Sequence, residues 1–192
     1  MVDAAVAALR RGEVVAVATD TVYGLVCDPG QPDAVDRIYA LKRRPADLEL
    51  TLLAATIDDL QGLVRWNAAA ERLATAFWPG PLSMVLPLGD HRLAVPRHGS
   101  TLSVRVPDHR RLLELLERTG PLASTSANRH GASAAVSAAA VRRAFGAGVA
   151  TLAGGGRPGG MASTIIDCSV TPPRILRDGP IDSRRLRDFM QG

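Results

Sequence analysis

Apolar side chains recur along this chain at two spacings, one of three to four residues and one of two, and the rhythm keeps switching between them. The stretch VDAAVAALR, Val2 to Arg10, follows the longer spacing and predicts a helix that Gly12 stops. EVVAVAT is a short apolar run rich in β-branched residues, and predicts a buried strand that runs into DTVYGL. Val35, Ile38 and Leu41 share one face of a helix predicted over Asp33 to Lys42, and Pro45 forbids its continuation. ELTLLAA is the next strand candidate. Asp58 to Val64 and Asn67 to Phe77 read as helices, the second closing at WPGP, where two prolines and a glycine force a turn before the strand LSMVLPL. TLSVRVP alternates as a half-buried strand does, Asp108 is placed to cap the helix HRRLLELLERTG, and PLASTSAN is a short strand ending in small polar residues. Ser137 to Phe145 reads as helical, VATLAGG, STIIDCS and PRILRDG as three late strands, and Ser183 to Met190 as a terminal helix. Adjacent strands recur without a crossover helix between them, so the expected sheet is mixed rather than purely parallel.

Composition narrows this to one α/β domain, because 192 residues with 46% hydrophobic and 22% charged side chains can bury a proper core but fall short of two domains of ordinary size. Twenty-three Lys and Arg against nineteen Asp and Glu leave a formal charge of +4, a mild excess that suits an anionic small molecule or a nucleic acid. Arginine dominates the cations, which favours planar recognition of phosphate and carboxylate. Cys27 and Cys168 lie far apart without a C-x-x-C pattern, and His91, His98, His109 and His130 make no metal-ligand spacing, so two reduced, buried thiols are expected and no protein-held metal. The N-terminal stretch has an early acid and places its arginines after the Ala-rich run, the reverse of a secretion signal, and no run approaches membrane-spanning length; a cytoplasmic protein without membrane contact is the expectation.

Gly154, Gly156 and Gly159 in GGGRPG satisfy G-x-G-x-x-G, but that fingerprint must open a helix whose N-terminus holds a pyrophosphate, and STIIDC reads as a strand. A turn or lid over Gly154 to Gly160 is expected instead. No G-x-x-x-x-G-K-[ST] occurs. Three hydroxyl-rich stretches stand at strand edges, where backbone N–H groups become free for a ligand: ATDTVYGL, STSAN and AST. Each taken alone fits equally with caps and turns. Lys42, Arg43 and Arg44 crowd the end of a helix, where cations complement the macrodipole and stay solvated. Pro45 biases this segment away from helix, so in an extended stretch Lys42 and Arg44 share one face and Arg43 takes the other; two converging cations suit a polyphosphate.

Taken in order, ATDTVYGL, LKRRPADLELTLLAA, WPGPLSMVLP, LSVRVPDH, STSAN, ASTIID and ILRDGPI resemble the YrdC-type threonylcarbamoyl-AMP synthases, in the short bacterial form, over nearly the whole chain. The family's K-x-R and S-x-N signature is read in Lys42, Arg44, Ser126 and Asn128. The resemblance implies a single YrdC-like domain over residues 1–192, with a twisted mixed sheet flanked by helices around a basic concave pocket. It implies a reaction in which L-threonine, bicarbonate or CO2 and ATP give threonylcarbamoyl-AMP and pyrophosphate, for threonylcarbamoyladenosine modification of tRNA. It further implies Lys42 and Arg44 as catalytic cations, with Lys42, Arg44, Thr101, Ser126, Asn128, Ser163 and Arg177 as the ATP set. Thr21, Arg105 and Ser124 are implied as the L-threonine set, Arg105 clamping the carboxylate through its planar fork. Mg2+ is expected with the ATP, held by phosphates and water. A tRNA threonylcarbamoyl-transferase complex is the implied downstream partner. An apolar residue near Leu53 stands where relatives often have a histidine.

Two other functions fit parts of the chain. A sequence pI of about 9.8 suits an RNA-binding or ribosome-assembly module, and weak tRNA contact with it, although with 4% aromatic residues and no RNP or KH motif base stacking would be poor. A YrdC-like paralogue acting on another carbamate shares the motifs, but its hydrogenase-maturation versions are normally embedded in longer chains.

Overall fold

The structure is a computed structural model that describes residues 1–43, 49–89, 100–154 and 158–191. Its elements follow in chain order: α1 (Val2–Arg10), β1 (Val15–Val17), β2 (Gly24–Cys27), α2 (Pro32–Lys42), β3 (Thr51–Leu53), α3 (Ala68–Phe77), β4 (Leu82–Pro87) and β5 (Thr101–Arg105). The second half comprises α4 (Arg110–Thr119), β6 (Leu122–Ser126), α5 (Ala138–Phe145), β7 (Ala150–Leu152), β8 (Thr164–Asp167), β9 (Arg174–Arg177) and α6 (Ser183–Gln191). The strands form one sheet in the order β7-β1-β2-β6-β3-β5-β4-β8-β9. β1 runs parallel to β7, β3 to β5 and β4 to β8, and the other neighbours are antiparallel, so the sheet is mixed as the missing crossovers require.

Register makes the two faces of this sheet differ. Leu52, Val104, Met84 and Ile166 lie side by side across β3, β5, β4 and β8, all essentially inaccessible to water. They pack under Leu73 and Phe77 of α3 and Leu186 of α6. One residue along, side chains point the opposite way, and there Ser124, Thr51 and Ser103 line up across β6, β3 and β5. At the other end of the sheet both faces are dry. Val15, Val17 and Val26 pack against Leu9 of α1 and Leu112 of α4, while Ala16, Leu25 and Cys27 pack against Ile38 of α2 and Val141 of α5. The hydroxyl-bearing face thus lies beside a sheet end that helices cover on both sides.

Four local expectations change. Of the helix expected over Asp58 to Val64, only a 3-10 turn forms, Asp58–Leu60; Gln61 is already extended and Gly62 takes a positive φ of 76°, which ends helical hydrogen bonding there. β2 has no counterpart in the sequence expectations: its run GLVC is only four residues long, opens on a glycine and is followed at once by Asp28 and Pro29. His109 rather than Asp108 caps α4, its Nδ1 accepting the Leu112 N–H at 3.3 Å. Lys42 is still helical and Arg43 takes the left-handed conformation with φ 50°, so the extended stretch expected to align Lys42 with Arg44 does not begin at this point. Arg44 lies outside the described residues.

Asn67 is the N-cap of α3 and also ties that helix to the sheet: its Oδ1 accepts the Ala70 N–H at 3.0 Å, and its Nδ2 donates to the Cys168 carbonyl at 2.8 Å. Asn67→Ala removes both bonds and is expected to destabilise the fold by about 2 kcal/mol, read as a lower midpoint in urea. Cys27 and Cys168 are buried and unpaired, and burial pushes both thiols up to about 12. The fold therefore favours the protonated form; that contribution is complete below the pKa of the unfolded thiol and is lost as pH rises into the alkaline range. At pH 8 a thiolate-seeking disulfide reagent should leave both cysteines unlabelled in the native protein and label both in guanidinium.

Candidate functional site

Where the hydroxyl face emerges, a cavity of about 420 Å³ opens over β3, β4, β5 and β6. Its floor carries a buried arginine, Arg105, at the end of β5, only 5% exposed. Three of its five N–H bonds have partners: Nε donates to the Gly80 carbonyl at 2.9 Å, Nη1 to Thr21 Oγ1 at 3.0 Å, and Nη2 to Asp20 Oδ1 at 2.5 Å. One N–H on each terminal nitrogen remains without a partner among the described residues, available to an anion such as a carboxylate. Burial pulls the guanidinium below its ordinary pKa, the Asp20 carboxylate pulls it back up, and Arg177 adds like-charge repulsion. An arginine stays protonated through such shifts.

The loop between β1 and β2 brings Asp20 and Thr21 to this floor. Thr19 Oγ1 donates to the Val22 carbonyl at 2.6 Å and accepts the N–H groups of Thr21 and Val22, closing a tight turn. Since Thr19 has given up its only hydroxyl hydrogen, Thr21 is the donor in the 2.9 Å bond between their hydroxyls. Gly159 and Gly160 then donate their N–H groups to the carbonyls of Asp20 and Thr21 at 2.9 and 2.8 Å. The segment that the sequence reads as a turn or lid is thereby fastened to the same loop at its C-terminal end; residues 155–157 lie outside the described residues.

Arg177, on the edge strand β9, also lines the cavity and donates from Nε to the Ser163 carbonyl at 3.0 Å and from Nη2 to Ser163 Oγ at 3.1 Å. Ser163 Oγ shares a 2.9 Å hydrogen bond with Ser83 Oγ of β4. Burial holds the Arg177 guanidinium below its ordinary pKa. The third wall is the corner after β6. Ser126 Oγ donates to Asn128 Oδ1 at 2.5 Å, and Asn128 Nδ2 donates to the Ala132 carbonyl at 2.6 Å. Lys42 stands behind this corner with 3% of its surface exposed, its ammonium donating to the Ser126 carbonyl at 2.5 Å, the Asn128 carbonyl at 2.7 Å and Asn128 Oδ1 at 3.1 Å.

Seven residues singled out by sequence line this one cavity: Thr21, Arg105, Ser124, Ser126, Asn128, Ser163 and Arg177. Lys42 reaches it only through the corner it holds. Thr101 stands at the opposite end of β5 from Arg105 and is not among the lining residues; across four residues of strand the two Cα atoms are ~13 Å apart. Asp20, Thr51 and Ser83 were not singled out. The polar positions in LTLLAA and LSMVLP mark Thr51 and Ser83 as facing away from the core, whereas Asp20 in a turn reads as a turn former until its partner, 85 residues away, is known. Among the described residues no group of three or more His, Cys, Asp or Glu is placed to hold a metal ion, and no helix is long and apolar enough to cross a membrane. Apart from one carboxylate, Glu49, the polar lining consists of two arginines with hydroxyl and amide side chains, a set rich in donors for an anion.

The Sua5_yciO_yrdC family model, described as "Telomere recombination", matches residues 7–179. A threonylcarbamoyl-AMP synthase of Pyrococcus abyssi is 40% identical over 177 residues, 89% of this chain and 52% of that protein. A threonylcarbamoyl-AMP synthase of Chromohalobacter salexigens is 42% identical over 153 residues, 78% of this chain and 83% of that protein. The crystal structure of P. abyssi Sua5 complexed with L-threonine superimposes with a TM-score of 0.92 at 36% identity, covering 98% of this chain and 56% of that one. The chain thus spans about half the length of the Pyrococcus protein, and the same holds for a Bacillus subtilis synthase, of which it covers 54%.

Replacing Lys42 by methionine keeps the length of the side chain and removes its three donors. Lys42→Met is expected to cost about 2–3 kcal/mol in urea unfolding, because the Ser126 and Asn128 acceptors lose a charged donor in a part-buried place.

Proposed function

The chain belongs to the Sua5/YciO/YrdC family, and from that premise we propose that it is a threonylcarbamoyl-AMP synthase, making threonylcarbamoyl-adenylate and pyrophosphate from L-threonine, bicarbonate or CO2, and MgATP. The observation that carries this reading is a single cavity lined by two arginines, Arg105 and Arg177, together with the hydroxyl groups of Thr21, Ser83, Ser124, Ser126 and Ser163. Arg105 clamps the amino-acid carboxylate through its two remaining N–H bonds, with the hydroxyls of Thr21 and Ser124 beside it. Ser126, Asn128, Ser163 and Arg177 receive the triphosphate, whose magnesium arrives as part of the substrate and is held by phosphates and water.

The chemistry runs in two bond-forming steps. The threonine amine adds to CO2, losing a proton and giving an N-carboxylate; where bicarbonate is the source, its hydroxide leaves as water with that amine proton. A carbamate oxygen then attacks the α-phosphorus of ATP, the α–β bridging bond breaks, and pyrophosphate leaves with the electron pair. Such in-line transfer asks for positioning and charge neutralisation rather than a covalent nucleophile, which is what a cavity of cations, hydroxyls and amides supplies. Lys42 contributes by fixing the Ser126 and Asn128 wall and placing a positive charge behind it; Arg44 is the second cation of the proposed set. Thr101, remote from the cavity, has the weakest support among the residues of that set. A labile mixed anhydride as product calls for a transferase that accepts it directly, the tRNA-modifying partner, in the cytoplasm.

Pyrophosphate release measured with threonine and bicarbonate supplied together and singly tests the reading: release is expected only with both, and turnover without threonine overturns it. Arg44→Ala and Arg177→Ala should each lower the rate at least ~tenfold, about 1.4 kcal/mol in the barrier, while Arg43→Ala, whose exposed side chain faces a different cavity, should change it little. Arg105→Lys should raise KM for threonine at least ~tenfold and leave KM for ATP unchanged, since lysine cannot reproduce the planar fork.

A further inference from the structure

Asp20 binds Arg105 with one oxygen only. Oδ1 accepts from Arg105 Nη2, while Oδ2 is buried with no hydrogen-bond partner among the described residues. Two features make this unusual. Carboxylate and guanidinium ordinarily close into a bidentate pair, which is both stronger and geometrically matched, and a buried carboxylate oxygen without a donor is costly.

His109 has the complementary deficit. It follows Arg105 by four residues, caps α4 and is only 4% exposed. Its Nδ1 accepts the Leu112 N–H at 3.3 Å, a hydrogen that the His109 carbonyl shares at 2.9 Å. The ring's lone pair is therefore on Nδ1. A neutral imidazole with its lone pair there carries its proton on Nε2, and Nε2 is buried without a partner among the described residues. Leu112, three residues after His109, and Val17, three residues before Asp20, belong to one apolar cluster, and the Asp20 carboxylate acts electrostatically on the His109 ring. Burial holds the imidazole below its ordinary pKa and keeps it neutral; the Asp20 and Asp108 carboxylates pull it up and Arg111 pushes it down. One buried acceptor lacks a donor, and one buried donor attracted by that same carboxylate lacks an acceptor.

We propose that Asp20 and His109 are positioning residues for Arg105: His109 Nε2–H, directly or through one water, holds Asp20 Oδ2 so that Asp20 stays monodentate and the second pair of Arg105 hydrogens stays open to a substrate carboxylate. This rests on the synthase reading for the identity of that carboxylate. Without His109 the carboxylate turns, and its second oxygen takes a further Arg105 hydrogen, one of the two left for the substrate carboxylate.

His109→Ser separates this role from capping, because serine is itself a preferred N-cap but cannot reach Asp20. KM for threonine is expected to rise about tenfold, with KM for ATP unchanged and kcat at saturating threonine within about twofold, the pattern of lost ground-state binding. The double variant Asp20→Asn/His109→Ser should lose no more than Asp20→Asn alone. In the unmodified protein, ¹⁵N resonances of His109 at pH 7.5 should show the Nε2–H tautomer, and Asp20→Asn should shift the Nε2 signal. A threonine KM unchanged in His109→Ser, or an Nδ1–H tautomer, overturns the proposal. If the unmodified protein releases no pyrophosphate with threonine, the synthase reading fails, and the tautomer and its response to Asp20→Asn still decide the array.

Discussion

Period-two alternation in short strands is the constraint from which the site follows. Each central strand gives one side chain to the dry face and the next to the cavity, so the residues that hold the sheet against α3 and α6 and those that face the ligand space are interleaved along the same few positions. Leu52 between Thr51 and Leu53, and Met84 beside Ser83, leave no freedom of register: a slip by one residue would bring hydroxyls into the core and leucines into the cavity. The core fixes the site because the two are opposite faces of one sheet.

On that frame the charges are arranged so that each cation is incompletely satisfied in a particular direction. Arg105 has a counter-ion, a hydroxyl and a carbonyl, and still presents two hydrogens. Arg177 is anchored by one serine and lines the same cavity. Burying a guanidinium is tolerable when its partners offset most of the desolvation, and what remains unmet is available to a ligand. Lys42 belongs to a different category, with its ammonium directed into backbone and amide oxygens of the protein.

Much of this was legible in the sequence, for physical reasons that also explain the gaps. Helices with a clear apolar stripe, α2 and α4 among them, were found within a residue or two, and the alternating strands β4 and β5 likewise. β2 was missed because GLVC is a four-residue run that opens on a glycine and ends at Asp28 and Pro29, too short to stand out beside the longer apolar run that holds β1. The hydroxyl clusters and Arg105 pointed to the site because small polar residues at strand edges have few other uses in such number. The family resemblance, which the comparisons confirm, added the order of the motifs. What local reading could not supply was partnership across the chain: Asp20 to Arg105, Lys42 to Asn128, and the ring nitrogens of His109 are all decided by residues brought together from different elements. The left-handed Arg43 is of the same kind, since Pro45 announces that the helix must end but not how.

Lys42 closes α2 and, through its ammonium and through its carbonyl accepting the His130 N–H at 2.9 Å, is bonded to the chain on both sides of Asn128. The last turn of that helix and the corner after β6 consequently form one cooperative opening unit: neither can fray without releasing the other. Local breathing that would admit water to the Ser126–Asn128 corner is thereby raised to the free energy of unwinding a helix end, which couples two segments distant in sequence.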